Sequence, residues 1–412
     1  MAEGKKSSPI APVIGCLIVQ LCVGIIYLWS VFKSSVVASY GWVEASATMV
    51  ASYMMMGFVL GCLFGGLIND KKGPRFSCVI GIILFSLGVG LTGLLRHENI
   101  SLIYLTYSVM GGLGAGLTYN ACIPCIQKWM PDRRGLASGL AAAAFGLSCV
   151  VFAPVSRALM TRYTDEATGL VSFRPVFLIL GAVFLVIGLI GCSLIRLPSS
   201  DRLPAAAARP GAPSAVKKDY KISEAIKTVP FWCIFFMMFF INGTWNLTMP
   251  MIYDLGVSRG LTVALATVAV SFTGIPNAAG RLIMAYVSDR IGRVPTLIIL
   301  SAATVVAALC MCFVGGIWYI VTVGVIAFCF GGPSPVNAAF CTDFFGPKNA
   351  GTNYGVLMLA LGLSSVFFNF MSKKVLGGAI TPTFIMAAAT AVVSIICMLI
   401  IRKYLPSADK KD

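Results

Sequence analysis

Gly66-Leu67-Ile68-Asn69-Asp70-Lys71-Lys72-Gly73-Pro74-Arg75 closes one long apolar stretch, and Ala285-Tyr286-Val287-Ser288-Asp289-Arg290-Ile291-Gly292-Arg293 closes another. The two aspartates lie 219 residues apart, and the same offset pairs Gly61 with Gly280. A second pair follows: Pro131, Gly135 and Gly139 recur as Pro347, Gly351 and Gly355. Two charged or proline-glycine loops repeated in this way mark a chain of two related halves, a layout used by membrane transporters.

The composition around the repeat agrees. Of 412 residues, 58% are hydrophobic and 11% charged, with a mean hydropathy of +0.90. Soluble domains carry about 25% charged residues. So little polar surface cannot cover a water-soluble globule, which leaves an all-α integral membrane fold. A spanning helix needs about 20 mostly apolar residues. Six candidates precede the centre: Ala11–Val37, Ser46–Ile68, Arg75–Leu95, Ile100–Gln127, Gly135–Met160 and Pro175–Ile195. Six follow it: Pro230–Tyr253, Leu261–Ser288, Val294–Val314, Ile317–Cys341, Ala350–Met371 and Thr381–Ile401. The expected architecture is twelve transmembrane helices in two pseudo-symmetric six-helix bundles, residues 1–196 and 229–412, joined by a polar linker over 197–228. Gly57, Gly61 and Gly65 in span 2, and Gly112 and Gly116 in span 4, have the four-residue spacing that lets helix backbones approach closely.

The net charge of +16 does not indicate nucleic acid, because the cations sit in short clusters between apolar spans. With the N-terminus inside, 22 of the 31 Lys and Arg fall on the inner side, 8 on the outer side, and Arg281 on neither. This asymmetry places both termini and the linker in the cytoplasm of a multi-pass cell (inner) membrane protein. The first span is longer than a signal-peptide core and reads as a retained helix. The 14 cysteines lie mostly in apolar stretches; Cys122 and Cys125 form a CxxC with no second pair or histidine beside it, so neither a metal site nor a disulfide framework is expected. The single histidine, His97, falls in an outer loop, and no catalytic or nucleotide-binding motif occurs. We therefore expect a non-enzyme without cofactor, a monomer in lipid, driven by a gradient rather than ATP.

The Gly66–Arg75 loop, with its weaker copy at Asp289, resembles the signature loop of the major facilitator superfamily. Within that superfamily, Tyr27-Leu28-Trp29-Ser30-Val31-Phe32 and Asp70–Arg75 resemble the oxalate:formate antiporter and monocarboxylate transporter group. The resemblance implies a cytoplasmic gate at Asp70, Gly73, Arg75, Asp289, Gly292 and Arg293. In a closed gate Asp70 would meet the start of helix 11 near Gly351, and Asp289 the start of helix 5 near Gly135. A carboxylate suits the positive end of a helix.

Arg281 is the most informative single residue. It precedes Asp289 by eight residues, which at 1.5 Å each puts it about 12 Å inside the membrane, near the midplane of a ~30 Å core. No acid falls mid-membrane on these spans, and the equivalent first-half position is Cys62. An arginine in this setting costs at least ~2.5–3.5 kcal/mol to insert and normally faces a water-filled path or a partner. Its planar fork matches a carboxylate, and the resemblance places the substrate carboxylate on it. Asn277, one turn earlier, stands where animal monocarboxylate transporters carry an aspartate, and Pro276 is expected to kink the helix. The remaining candidate contacts are Tyr119 and Asn120 in helix 4, Tyr27 and Leu28 in helix 1, Phe145 in helix 5 and Phe368 in helix 11. Helix 11 lacks the lysine of the oxalate pattern, which favours one carboxylate over two.

The expected activity is proton-coupled symport of a small monocarboxylate such as lactate or pyruvate by alternating access. The alternatives are carboxylate exchange and a transporter-like receptor. The proton either travels with the substrate or titrates a group near a membrane end, such as Asp254 or Glu44.

Overall fold

The computed structural model describes residues 9–24, 28–94, 100–198, 219–375 and 379–404. Hydrocarbon offers the backbone no hydrogen bonds, so an apolar chain of this kind satisfies its peptide groups within helices. Before the centre these are α1 (Ile10–Val23 and Trp29–Tyr40), α2 (Glu44–Lys72), α3 (Pro74–Thr92), α4 (Ile100–Ile103, Tyr104–Met110 and Gly111–Trp129), α5 (Arg134–Arg162) and α6 (Phe173–Leu194). After it come α7 (Val229–Thr248, extended through Met249–Met251 and Ile252–Ser258), α8 (Val263–Phe272 and Gly274–Ile291) and α9 (Arg293–Cys310). The last three are α10 (Gly316–Gly331 and Pro333–Phe345), α11 (Ala350–Leu357, Leu359–Phe370 and Met371–Val375) and α12 (Ile380–Arg402). Among the described residues, all of these except α1 and α8 contain a run long and apolar enough to cross a membrane.

The breaks have local causes. The Pro276 ring lacks an N–H, and α8 is interrupted at Thr273, one turn before it. Tyr104–Met110 of α4 is wound as a π-helix, a form often found at functional sites. The end of the predicted linker is ordered. Asp219 Oδ1 accepts from the Lys348 N–H at 3.1 Å, and the Tyr220 N–H donates to the Phe345 carbonyl at 2.9 Å. The Asn349 side chain donates to the Tyr220 carbonyl at 3.0 Å, so this strip is clipped to the turn between α10 and α11.

The described residues divide into two compact units. The first takes those within Met1–Pro131, Ala144–Pro204 and Ala350–Gly355; the second takes those within Asp132–Ala143, Ala205–Asn349 and Val356–Asp412. The start of α5 therefore belongs with the second unit and the start of α11 with the first, which departs from a simple cut at the linker.

In the first unit the two glycine series pack on each other. A Cβ at Gly57 would lie 3.1 Å from the carbonyl oxygens of both Ser108 and Val109. One at Gly61 would lie 2.9 Å from Leu113 Cα, and one at Gly65 2.7 Å from Leu117 Cα. In the second unit, Arg259 donates to the carbonyls of Cys312 and Val314 beyond the end of α9, and the Tyr319 hydroxyl donates to the Ile252 carbonyl.

Gly61→Leu therefore forces α2 off α4 and should destabilise the protein by at least about 1–3 kcal/mol. Gly274→Ala, where a Cβ meets nothing within 4 Å, should change stability by less than about 0.5 kcal/mol. Thermal unfolding in detergent, followed by tryptophan fluorescence, compares the two.

Candidate functional site

The repeated loops end α2 and α8 in the same way. Gly73 and Gly292 close the helices at φ 85° and 94°, in a region where a side chain is strained. This turns the chain sharply into α3 and α9 and leaves each aspartate four residues before its next helix.

In the first unit, Asp70 Oδ2 accepts from the Thr352 N–H at 2.6 Å, and Asn69 donates to Asp70 Oδ1 at 3.2 Å. Asn120 braces the same contact. Its Nδ2 donates to the carbonyls of Cys62 at 2.6 Å and Gly351 at 2.8 Å. Both amide hydrogens of Asn120 are thereby taken up by backbone of α2 and α11, so it holds helices together instead of presenting donors to a cavity. In the second unit, Asp289 takes the Gly135 N–H on Oδ1 at 2.8 Å and the Leu136 N–H on Oδ2 at 2.7 Å. A carboxylate gripping free N–H groups at a helix start is favoured by both hydrogen bonding and the helix dipole.

The second contact also carries an ion-pair network. Arg293 meets Asp289 at 2.6 Å and Asp343 at 2.9 Å, and Arg134 meets Asp343 at 3.0 Å. Arg293 Nη1 also donates to Ser288 Oγ at 2.6 Å. Arg75 does not join an equivalent arrangement: its side chain is exposed, because the 219-residue offset sets Arg293 opposite Pro74. Arg134 and Asp343 were not singled out by sequence. The available signal was Asp343 lying four residues before the repeated Pro347, next to a cationic loop.

Arg281 is 5% exposed. Its Nε donates to Asn277 Oδ1 at 3.0 Å and its Nη1 to the Ala142 carbonyl at 3.0 Å. Both acceptors are neutral, and among the described residues no ion pair holds the guanidinium. Asn277 presents its oxygen to the arginine, so it sets the direction of the guanidinium.

Tyr119 and Phe145 come together in the first unit, with ring centroids 5.1 Å apart. Phe58 of α2, which the sequence reading did not select, completes a triad at 5.3 and 5.6 Å from them. All three are buried, as is Leu28. Tyr27 lies outside the described residues. Phe368 packs in the second unit against Phe239, with centroids 5.3 Å apart, and on Gly243. Among the described residues, no group of three or more His, Cys, Asp or Glu could hold a metal ion.

With this arrangement established, comparison places the chain. Residues 14–369 match the Major Facilitator Superfamily, and the protein belongs to that family. It is a multi-pass membrane transporter. An uncharacterized MFS-type transporter of Escherichia coli (strain K12), YhjX, is 27% identical over 365 residues, covering 86% of this chain and 85% of that one. The oxalate:formate antiporter of Oxalobacter formigenes is 27% identical over 362 residues, covering 86% and 82%. The apicoplast pyruvate carrier 1 of Toxoplasma gondii is 25% identical over 408 residues, covering 84% and 72%. Among solved structures, the transporter FucP in the outward conformation superposes with a TM-score of 0.75 at 14% identity, covering 96% of this chain and 99% of that one, which is a likeness of fold.

Arg293→Ala removes a cation from two carboxylates that are only 10% and 12% exposed, leaving Asp343 with Arg134 and Asp289 with the Gly135 and Leu136 N–H groups, and should cost about 1–3 kcal/mol. Arg75→Ala should change stability by less than about 0.5 kcal/mol. Melting temperatures of the two purified variants, read beside the unmodified protein, test the asymmetry.

Proposed function

We propose that this protein is a secondary active transporter of small monocarboxylates of the lactate or pyruvate type, moving them with a proton by alternating access. The carrying observation is Arg281: a buried guanidinium near the middle of its span, directed by Asn277 and answered only by neutral acceptors. A fixed cation of this kind is most stable when an anion completes its hydrogen bonds, and a carboxylate matches its fork. Helix α11 carries no lysine between Ala350 and Phe370, which favours a single carboxylate group. The functions named for two relatives, oxalate:formate antiport and pyruvate carriage, fall in the same chemical class. Tyr119 and Phe145, with Leu28 and Phe368, are proposed to line the substrate path, and Tyr27 with them.

Asp70 and Asp289 are proposed as gate carboxylates, with Gly73 and Gly292 setting their turns and Arg293 anchoring the second. Each releases a helix start when its bonds break, and a few kcal/mol is enough to bias a two-state equilibrium. The protein is proposed to sit in the cell inner membrane with both termini cytoplasmic, as its Lys and Arg distribution favours.

Exchange of carboxylate anions is the second reading. It is favoured by Arg281 itself: without a buried acid beside it, the empty carrier returns with an uncompensated charge, whereas an exchanger always returns loaded.

Purified protein in liposomes distinguishes the two. Labelled lactate uptake driven by an inward proton gradient supports symport; uptake that requires internal carboxylate supports exchange. Arg281→Ala should lower transport by more than about 100-fold while the protein still reaches the membrane, and Arg281→Lys should not restore it. Near-normal transport by Arg281→Ala would refute the assignment.

A further inference from the structure

The first unit buries several polar groups that have no hydrogen-bond partner among the described residues. Both ends of the Gln20 amide, the Ser148 hydroxyl and the Tyr107 hydroxyl are among them, and all three residues are 0% exposed. Leaving a buried amide or hydroxyl unpaired is expensive, and an apolar side chain of the same shape would avoid that cost.

Their placement along α1 is ordered. Cys16, Gln20 and Gly24 follow one another at four-residue steps, so they share a helix face. Cys16 meets the thiols of Cys122 and Cys125 in α4. Gly24 faces α5, where its Cβ would lie 2.7 Å from Ser148 Cβ. Gln20 therefore sits between α4 and α5, one turn below Ser148. It also lies ten residues into α1, about 15 Å from its first residue and so close to mid-membrane. Further along α1, Trp29 packs against Tyr107 with centroids 5.3 Å apart and ring planes tilted by 50°, and Tyr107 stands in the π-wound stretch of α4. Ser86 Oγ, Asn120 Oδ1 and Ser156 Oγ of this unit are unpaired as well, whereas Ser108 bonds the Val50 carbonyl, Thr118 bonds Gly114 and Ala115, and Asn120 Nδ2 bonds Cys62 and Gly351.

We infer that Gln20, Ser148 and Tyr107 hold a file of internal water molecules inside the first unit, and that this file carries the transported proton. Buried waters typically make about three hydrogen bonds to otherwise unpaired groups, and Gln20 Oε1, Gln20 Nε2 and Ser148 Oγ supply three. A proton enters as hydronium and passes by transfer from each water to the next. The protein groups accept and donate hydrogen bonds without gaining or losing a proton. No carboxylate or imidazole is needed along the way. The described acidic residues of this unit, Glu44, Asp70, Asp165 and Glu166, stand at helix ends or in loops. The titratable groups that meet beside this face of α1 include the thiols of Cys16, Cys122 and Cys125, with Cys78 3.6 Å from Cys122. The relay rests on the proton-coupled reading above; the water file does not.

Hydroxyl-radical labelling by X-ray radiolysis tests the water file on the reconstituted full chain, because bound water generates the radical in place. Tyr107 should be modified in spite of its burial, and its rate should fall at least about fivefold in Gln20→Leu and in Ser148→Ala. An unlabelled Tyr107, or a rate unchanged in both variants, overturns the file. Liposome transport tests the relay. Lactate uptake driven by a proton gradient should fall about tenfold in these variants, while lactate exchange stays within about twofold. An equal fall in both modes, no fall in either, or a wild-type protein that exchanges without proton-driven uptake overturns the relay. Should Gln20→Leu fail to fold, Ser148→Ala and Gln20→Asn carry the same comparison. Wild-type protein that moves no carboxylate at all defeats the proposed function, and the labelling result still decides the water file.

Discussion

A lipid bilayer gives a buried polar group nothing to bond with, and the arrangement of this protein follows from that. The backbone closes its hydrogen bonds within helices. Where two helices must approach closely, glycine removes the side chain, as at Gly61 against Leu113. Some buried hydroxyls reach a carbonyl of a neighbouring helix: Ser108 bonds Val50 across to α2, and Thr244 bonds Ala387 across to α12. Against this background two departures stand out in opposite senses. Arg281 brings a full charge into the membrane core with only neutral partners, and Gln20 brings an amide with none. Both are costly unless a small molecule completes them, and the two residues carry the functional reading for that reason.

The two helix-start contacts use one backbone design with different side-chain chemistry. At Asp70 the supporting groups are amides, Asn69 and Asn120, with the Lys128 charge acting from nearby and no ion pair to the carboxylate among the described residues. At Asp289 the support is ionic, running through Arg293 and Asp343 to Arg134. Amide support depends on geometry alone. Ionic support also depends on every member keeping its charge, since one missing partner leaves another buried and unpaired. The two helix-ending loops thus repeat in shape and diverge in what braces them.

Much of the fold was legible because its signals are one-dimensional. Apolar run length marked the helices, and the repeat at Asp70 and Asp289 marked the matching loops. The glycine spacing marked two close-packed faces without revealing that they face each other. The side-chain network was less legible, because it depends on which residues the folded backbone brings together. Asp343 is one acid at the end of an apolar run, and nothing in its neighbourhood announces Arg293 and Arg134. Asn120 reads as a polar group for a cavity until Cys62 and Gly351 are seen to take both its hydrogens. Phe58 sits between two residues that were selected, yet α2 had been read only for its small residues. Arg75 and Arg293 both follow the repeated glycine closely in sequence, yet they differ by one residue in register, which separates an exposed side chain from a buried one.

Gly73 and Gly292 have one more implication. Around them the letters have drifted, Lys71 beside Arg290 and Pro74 beside Arg293, yet ψ is 166° at one and 161° at the other. The kinship of the two halves is recorded more faithfully in torsion angles than in the alphabet of side chains. In a cousin whose spelling had diverged past recognition, two such corners, each three residues after a carboxylate that grips a helix start, would still point to the duplication.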